Sequence, residues 1–352
     1  MKAVVQRGYG DASVLVHEEV PDPEPGPGEV LVAVAAAGVN RLDVLQREGP
    51  PVLAGFHLPH IAGMDIAGSV VGVGANVTGP WTGQRVVVNP SLACGVCAAC
   101  LAGEDGLCAS VRVVGGSCPG GYAQRCVVPA DHAFAIPDDL EFEAAASLPT
   151  AWATAWHALV GVGRVSDGES VLIHAAGSGL SIAAIQIARH LGARVVATAG
   201  SQAKLDLALE LGAAAVISNV AYRDGSPEAA RAFAAQCREA TGGAGADVVL
   251  DHVGPALFEA SIAALRPRGR LLFCGTTSGT RVSFTLPSVY HAGISLVGVD
   301  AYTAAEFAAL MDWVAHARPR VVIDSRFALN DAGAAQERLA GGSAIGKVVV
   351  LP

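Results

Sequence analysis

Residues 170–191 read SVLIHAAGSGLSIAAIQIARHL. Four residues of buried-strand character, Ser170-Val171-Leu172-Ile173, run into a turn of small residues, and an apolar helical pattern over 182–191 comes next. A glycine-rich turn alone is a weak signal. Between a strand and a helix it gains meaning, because small residues let the backbone approach a pyrophosphate at a helix N-terminus. The candidate phosphate contacts are Ala176, Gly177, Ser178, Gly179 and Leu180. The three glycine positions of the G-x-G-x-x-G fingerprint hold Ala176, Ser178 and Ser181, so a plain tight turn is the alternative.

Downstream, Arg194-Val195-Val196-Ala197 is a second strand, followed by a helix over 202–211 and a strand at Ala215-Val216-Ile217. Further strands fall at 247–250, 270–273 and 295–298. Strands alternating with helices predict βαβ units and a doubly wound parallel sheet, an α/β fold. An acid at the end of the second strand would hold the ribose 2′-hydroxyl of NAD. Here Gly200, Ser201 and Lys204 stand instead, and the first acid is Asp206, inside the helix. These residues suit a 2′-phosphate and favour NADPH over NADH, although Lys204 reads equally as an ordinary solvated lysine.

Upstream, residues 1–90 carry short β-branched runs at 4–5, 29–34, 69–73 and 85–88, separated by Pro and Gly clusters. This spacing predicts a β-rich domain or partial barrel. A helix is expected over 304–316, and strands at 321–323 and 347–350 should return to that first domain. The 352 residues suit two domains. The net charge of −9 argues against the basic face that nucleic acid or anionic lipid would need. Residues 144–163 contain no acid or base except His157, but Pro149, two Trp and several Gly interrupt them, so a buried interdomain segment is expected rather than a membrane span. The N-terminus alternates like a strand and shows no secretory apolar region. With eight cysteines in the chain, this predicts a reducing, cytoplasmic location.

Four of those cysteines have the spacing Cys94-x2-Cys97-x2-Cys100-x7-Cys108. Four thiolates close the tetrahedral sphere of Zn²⁺ and leave no position for water or substrate, so one structural zinc is expected. Free thiols and an iron–sulfur cluster are the alternatives. Cys118, Cys126, Cys237 and Cys274 are widely spaced and read as small buried hydrophobes.

Taken together, the chain resembles the medium-chain dehydrogenase/reductase superfamily along essentially its whole length. The block Gly63-Met64-Asp65-Ile66-Ala67-Gly68-Ser69-Val70-Val71-Gly72-Val73-Gly74, the four-cysteine lobe, Gly83-Gln84-Arg85-Val86, Gly120-Gly121-Tyr122-Ala123 and Gly346-Lys347-Val348-Val349 carry the likeness. It implies a GroES-like catalytic domain at 1–128 and 301–352 with its zinc lobe at 94–108, a Rossmann domain at 129–300, and a cleft between them. It also implies a homodimer or homotetramer acting on a small-molecule substrate. Thr154, Val253, Gly275 and Lys347 join the cofactor contacts on the same ground.

The departures from that family are informative. Its zinc alcohol dehydrogenases bind a catalytic zinc at positions that here hold Asn40, Met64 and Thr150, with Asp65 where a nearby glutamate is usual and Leu42 where a hydroxyl relays a proton. An amide and a thioether make a poor zinc site. Gly38-Val39-Asn40-Arg41-Leu42-Asp43 and the Leu-Pro-Thr-Ala-Trp-Ala-Thr-Ala-Trp segment instead resemble the quinone oxidoreductase branch. The resemblance thus implies NADPH-dependent hydride transfer to a quinone or enone without a catalytic metal. Asn40 is the candidate carbonyl donor, or else caps a turn. Asp43 orients Arg41 or caps the next helix. Asp65 is a proton relay or a buried bonded acid, and Thr150 lines the nicotinamide pocket or the core. A zinc alcohol dehydrogenase with atypical ligands and a non-enzymatic NADPH-binding protein are the rival expectations.

Overall fold

The computed structural model describes residues 1–222 and 226–352. The chain divides into two compact units, Met1–Ala153 with Tyr302–Pro352, and Thr154–Ala301.

The first unit is built on a seven-stranded sheet. Along the strand Glu29–Gly38, Val30, Val32 and Val34 alternate inward, as β-branched residues do on a half-buried pleated surface. In sheet order the strands are Ala133–Ala135, Arg85–Val88, Asp65–Val73, Glu29–Gly38, Lys347–Leu351 and Ile323–Ala328, with Arg125–Pro129 also pairing Glu29–Gly38. Two registers position the site: Gly38 lies opposite Asp65 on one side and opposite Val349 on the other. Glycine is required there by space, since a Cβ on Gly38 would stand 2.4 Å from the Ala146 carbonyl oxygen and 3.0 Å from Asp65 Cβ.

Residues 129–153, expected with the Rossmann domain, belong to this first unit. Ala133–Ala135 completes its sheet against Arg85–Val88, and the Asp65 carboxylate bonds the first turn of the helix Pro149–Trp156. Long-range pairing, invisible to local periodicity, sets this boundary. Residues 144–163 form short helical segments, and among the described residues no helix is long and apolar enough to cross a membrane.

The second unit holds six parallel strands in the order Ala215–Ser218, Arg194–Ala199, Ser170–Ile173, Ala246–Asp251, Leu265–Phe273, Ser295–Gly298. Numbered along the chain this is the doubly wound order 3-2-1-4-5-6 of a Rossmann sheet, whose ligand crevice opens where the first and fourth strands end. The helix after the first strand starts at Gly179, three residues before its apolar pattern begins. Capping decides this start: the Ser178 side chain accepts from the Ser181 N–H at 3.1 Å.

Candidate active site

The zinc lobe is the simplest part. Its helices, Ala98–Leu101 and Asp105–Leu107, are single turns with no buried residues, so packing cannot hold them. The four Sγ atoms of Cys94, Cys97, Cys100 and Cys108 lie within 4.8 Å of one another. Cys97 and Cys100 are 3.5 Å apart, and Cys94 and Cys100 3.9 Å. A Zn–S bond of about 2.3 Å in a tetrahedron separates sulfurs by roughly 3.8 Å, so the set fits Zn²⁺. The Val96 and Cys97 N–H groups face the Cys94 sulfur and hold its thiol down at about 6, whereas burial pushes the Cys100 thiol up to about 12, so the fit to zinc rests on the sulfur spacing.

The second cluster gathers at the sheet ends fixed by Gly38. Asp65 is fully buried. Its Oδ1 accepts from the Thr150 N–H at 2.9 Å and the Thr150 hydroxyl at 2.6 Å. Its Oδ2 accepts from Lys347 Nζ at 2.8 Å. The same ammonium donates to Asn40 Oδ1 at 2.7 Å. Asn40 Nδ2 is buried and makes no hydrogen bond. Met64, between these groups in sequence, is a core residue. Thus three of the positions singled out by departure from the zinc enzymes, Asn40, Asp65 and Thr150, converge around one lysine. Lys347, placed with the cofactor by resemblance, spends its ammonium on Asn40 and Asp65. Of the two readings of Asp65, the geometry is that of the buried, fully bonded acid. Thr154 lies one turn beyond Thr150 in the same helix.

Asp43 neither reaches toward Arg41, which is exposed, nor faces solvent. Its Oδ2 accepts the Asn40 N–H at 2.7 Å and closes the first turn of its own helix, Arg41–Glu48. Burial, opposed by the bond from Asn40 and aided by the charge of Asp65, pushes its carboxyl from 3.8 to about 7. Tyr122, fully buried beside it, is pushed well above its usual value first by burial and then by the Asp43 charge. A carboxyl that keeps its proton when folded but releases it when unfolded loses stabilising weight as pH rises. Between pH 3.8 and about 7 the wild type should therefore lose stability relative to Asp43→Asn, and above that the gap should stay constant. Urea midpoints measured across this range check it, and parallel curves for the two proteins would mean that Asp43 is ionised throughout. His60, one of two histidines near this block, is buried and bonded to the Gly115 carbonyl at 3.0 Å.

In the second unit, the turn after Ser170–Ile173 is held open by Ala175 at φ 52°. A Cβ on Gly177 would strike the Lys204 side chain at 2.7 Å, so the stem of that lysine lies across the turn. The first N–H groups of the helix Gly179–His190 have no intrahelical acceptor, which is the geometry an anion takes up. Ser181, at the third glycine position, is accommodated because its hydroxyl donates to the His174 carbonyl at 2.6 Å and lies 2.8 Å from His252 Nε2. Burial keeps the His252 imidazole below its usual value. Beneath the turn, His174 spans Thr198 and Ser261, each at 2.9 Å, and Ser261 donates to Asp251. This buried network is not legible in the sequence; its one local trace is a histidine directly after an apolar strand. The other Asp251 oxygen accepts the Val253 and Gly254 N–H groups, shaping the end of the fourth strand. Gly275 packs there against the His252 backbone. Gly200 and the helix-capping Ser201 are exposed after the second strand. Ala176, Gly177, Ser178, Gly179, Leu180, Lys204, Val253 and Gly275 thus fall at the strand ends of one sheet.

Comparison with known proteins agrees with this architecture. The alcohol dehydrogenase GroES-like domain family matches residues 26–138, and the zinc-binding dehydrogenase family matches residues 179–316. A 2-haloacrylate reductase from a Burkholderia species is 31% identical over 100% of this chain and 99% of its own. A solved NAD-dependent alcohol dehydrogenase is 38% identical over 100% of both chains, with a TM-score of 0.93. A mycobacterial protein solved in complex with NADPH is 32% identical over 100% of both chains, with a TM-score of 0.82. The chain belongs to the medium-chain dehydrogenase/reductase superfamily, and it is an oxidoreductase.

Proposed function

We propose that this protein is an NADPH-dependent reductase of quinones or enones that uses no catalytic metal and carries one structural zinc. The observation that carries this reading is the Lys347 ammonium within 2.8 Å of Asp65 and 2.7 Å of Asn40. A fixed positive charge among these residues opposes a second cation, and both Asp65 oxygens are already bonded. A zinc site with atypical ligands is therefore disfavoured.

NADPH, when bound, supplies the hydride. Ala176, Gly177, Ser178, Gly179 and Leu180 would hold its pyrophosphate at the helix start, with Lys204, Gly200 and Ser201 placed for the 2′-phosphate. Val253, Gly275 and Thr154 would contact the remainder. Asn40 Nδ2 would donate to the acceptor's carbonyl oxygen, where negative charge gathers as the hydride arrives. Conjugated acceptors suit this arrangement because they spread that charge without a Lewis acid. The resemblance to a 2-haloacrylate reductase supports an activated alkene, and the resemblance to a protein solved with NADPH supports the cofactor. The relative at 38% identity is described as NAD-dependent, so the preference for NADPH rests on this chain's own Lys204 and the lack of an acid beside it. The unbridged cysteines fit a cytoplasmic location, and assembly as a homodimer or homotetramer is expected from the family.

The test is a panel of quinones, enones and alcohols with NADPH and NADH, run beside metal analysis. Expected are one zinc per chain, turnover of conjugated acceptors, and a preference for NADPH that shrinks in Lys204→Ala. Two zincs per chain with alcohol oxidation would overturn the reading.

A further inference from the structure

We infer that Lys347 and Asp65 are positioning residues that lock and polarise the Asn40 carboxamide, so that its Nδ2 group is held ready to donate to the substrate oxygen. This inference rests on the reading of Asn40 as the carbonyl donor.

The direction of the lock is set by donor and acceptor chemistry. An ammonium has three N–H donors and no acceptor, so its partner on Asn40 must be the carbonyl oxygen. With Oδ1 held 2.7 Å from Nζ, the Nδ2 group is turned away from the lysine. Flipping the amide would set its N–H groups against a positive charge. The ammonium is itself held by Asp65 Oδ2 at 2.8 Å, and Asp65 is held by two donors from Thr150. No link in the chain Thr150 to Asp65 to Lys347 to Asn40 can reverse, because each donor meets an obligate acceptor. The Asn40 backbone is fixed as well, through its N–H to Asp43.

What remains is one buried donor, Nδ2, without a partner. An unpaired buried donor costs roughly 1–3 kcal/mol, a cost that a substrate oxygen accepting from Nδ2 would offset. The ammonium also draws electron density toward Oδ1, which makes the Nδ2 hydrogens stronger donors. A preorganised, polarised donor stabilises an oxyanion without reorganising at the moment of hydride transfer.

The test compares three variants of the full chain. Asn40→Asp keeps an oxygen for Lys347 but has no N–H, and its kcat should fall by about 10²-fold. Lys347→Met/Asp65→Asn removes the ion pair as a neutral unit. It should stay folded, lower kcat by about tenfold and move KM little, since the lost interaction grows only in the transition state. Lys347→Arg, which still donates to both partners, should recover most of the rate. In protein labelled with ¹⁵N-asparagine, the side-chain amide signal of Asn40, assigned by its loss in Asn40→Asp, should shift upfield in the double variant. Unchanged kcat with an unmoved amide signal would overturn the inference. If the wild type reduces no conjugated acceptor, the functional reading fails by itself, and the amide signal alone then decides the lock. If the double variant does not fold, Lys347→Gln, uncharged but still a donor, is read by the same two measurements.

Discussion

Replacing Lys347 by Met lowers stability by about 3–5 kcal/mol, and most of that loss returns when Asp65→Asn is made with it. The Asp65 side chain is fully buried, and Lys347 is only 6% exposed. The pair itself need not be strongly stabilising, because taking two charges out of water costs nearly what their attraction returns. Removing one partner is different. Asp65 keeps its two bonds from Thr150, but Oδ2 is left charged and unpaired in the core. Denaturant unfolding of both variants checks this. A deficit that persists in the double variant would show that lost packing rather than stranded charge is responsible.

The second large effect is expected in the cysteine lobe of the same unit. Cys100→Ser removes one of four sulfurs and should reduce zinc from one per chain to a trace. Structural zinc binding contributes on the order of 10 kcal/mol in small zinc domains, and here little else holds the lobe. Val96, Leu101 and Leu107 are exposed, and the lobe's two helical turns bury nothing. One tie beyond the sulfurs is the Asp105 carboxylate, which accepts the Ala304 N–H at 2.9 Å and so joins the lobe to the helix Ala304–Ala317. Metal analysis with hydrogen exchange should show zinc loss and collapsed protection over 94–108, with protection of the strand Glu29–Gly38 retained. Full protection without zinc would mean that packing, not metal, builds the lobe.

The lysine cluster and the zinc lobe are of opposite legibility. The cysteine lobe lies within 15 residues, so spacing alone brings its ligands together. The phosphate turn is equally local: strand, small residues, cap and helix come in order, and only the helix start at Gly179 needed the Ser178 cap to be seen. The periodicity of 170–298 likewise announced a parallel sheet, because each βαβ unit closes on its near neighbours. The first unit was harder. Its strands pair across long intervals, and residues 129–153, placed with the Rossmann domain by resemblance, pair back into its sheet and bond Asp65 instead.

The cluster around Lys347 shows the limit most clearly. Sequence by itself determined the family, brought four cysteines and a turn of small residues to notice, and put an amide and a thioether at 40 and 64. Only the tertiary structure decided what stands beside them. Lys347 stands 307 residues after Asn40 and 282 after Asp65, and the Gly346-Lys347-Val348-Val349 block, although it carries the family likeness, does not reveal these partners. The antiparallel registers of Glu29–Gly38 with Asp65–Val73 and with Lys347–Leu351 bring the three together. Burial then turns that proximity into an obligatory network, because a charge removed from water must find its partner.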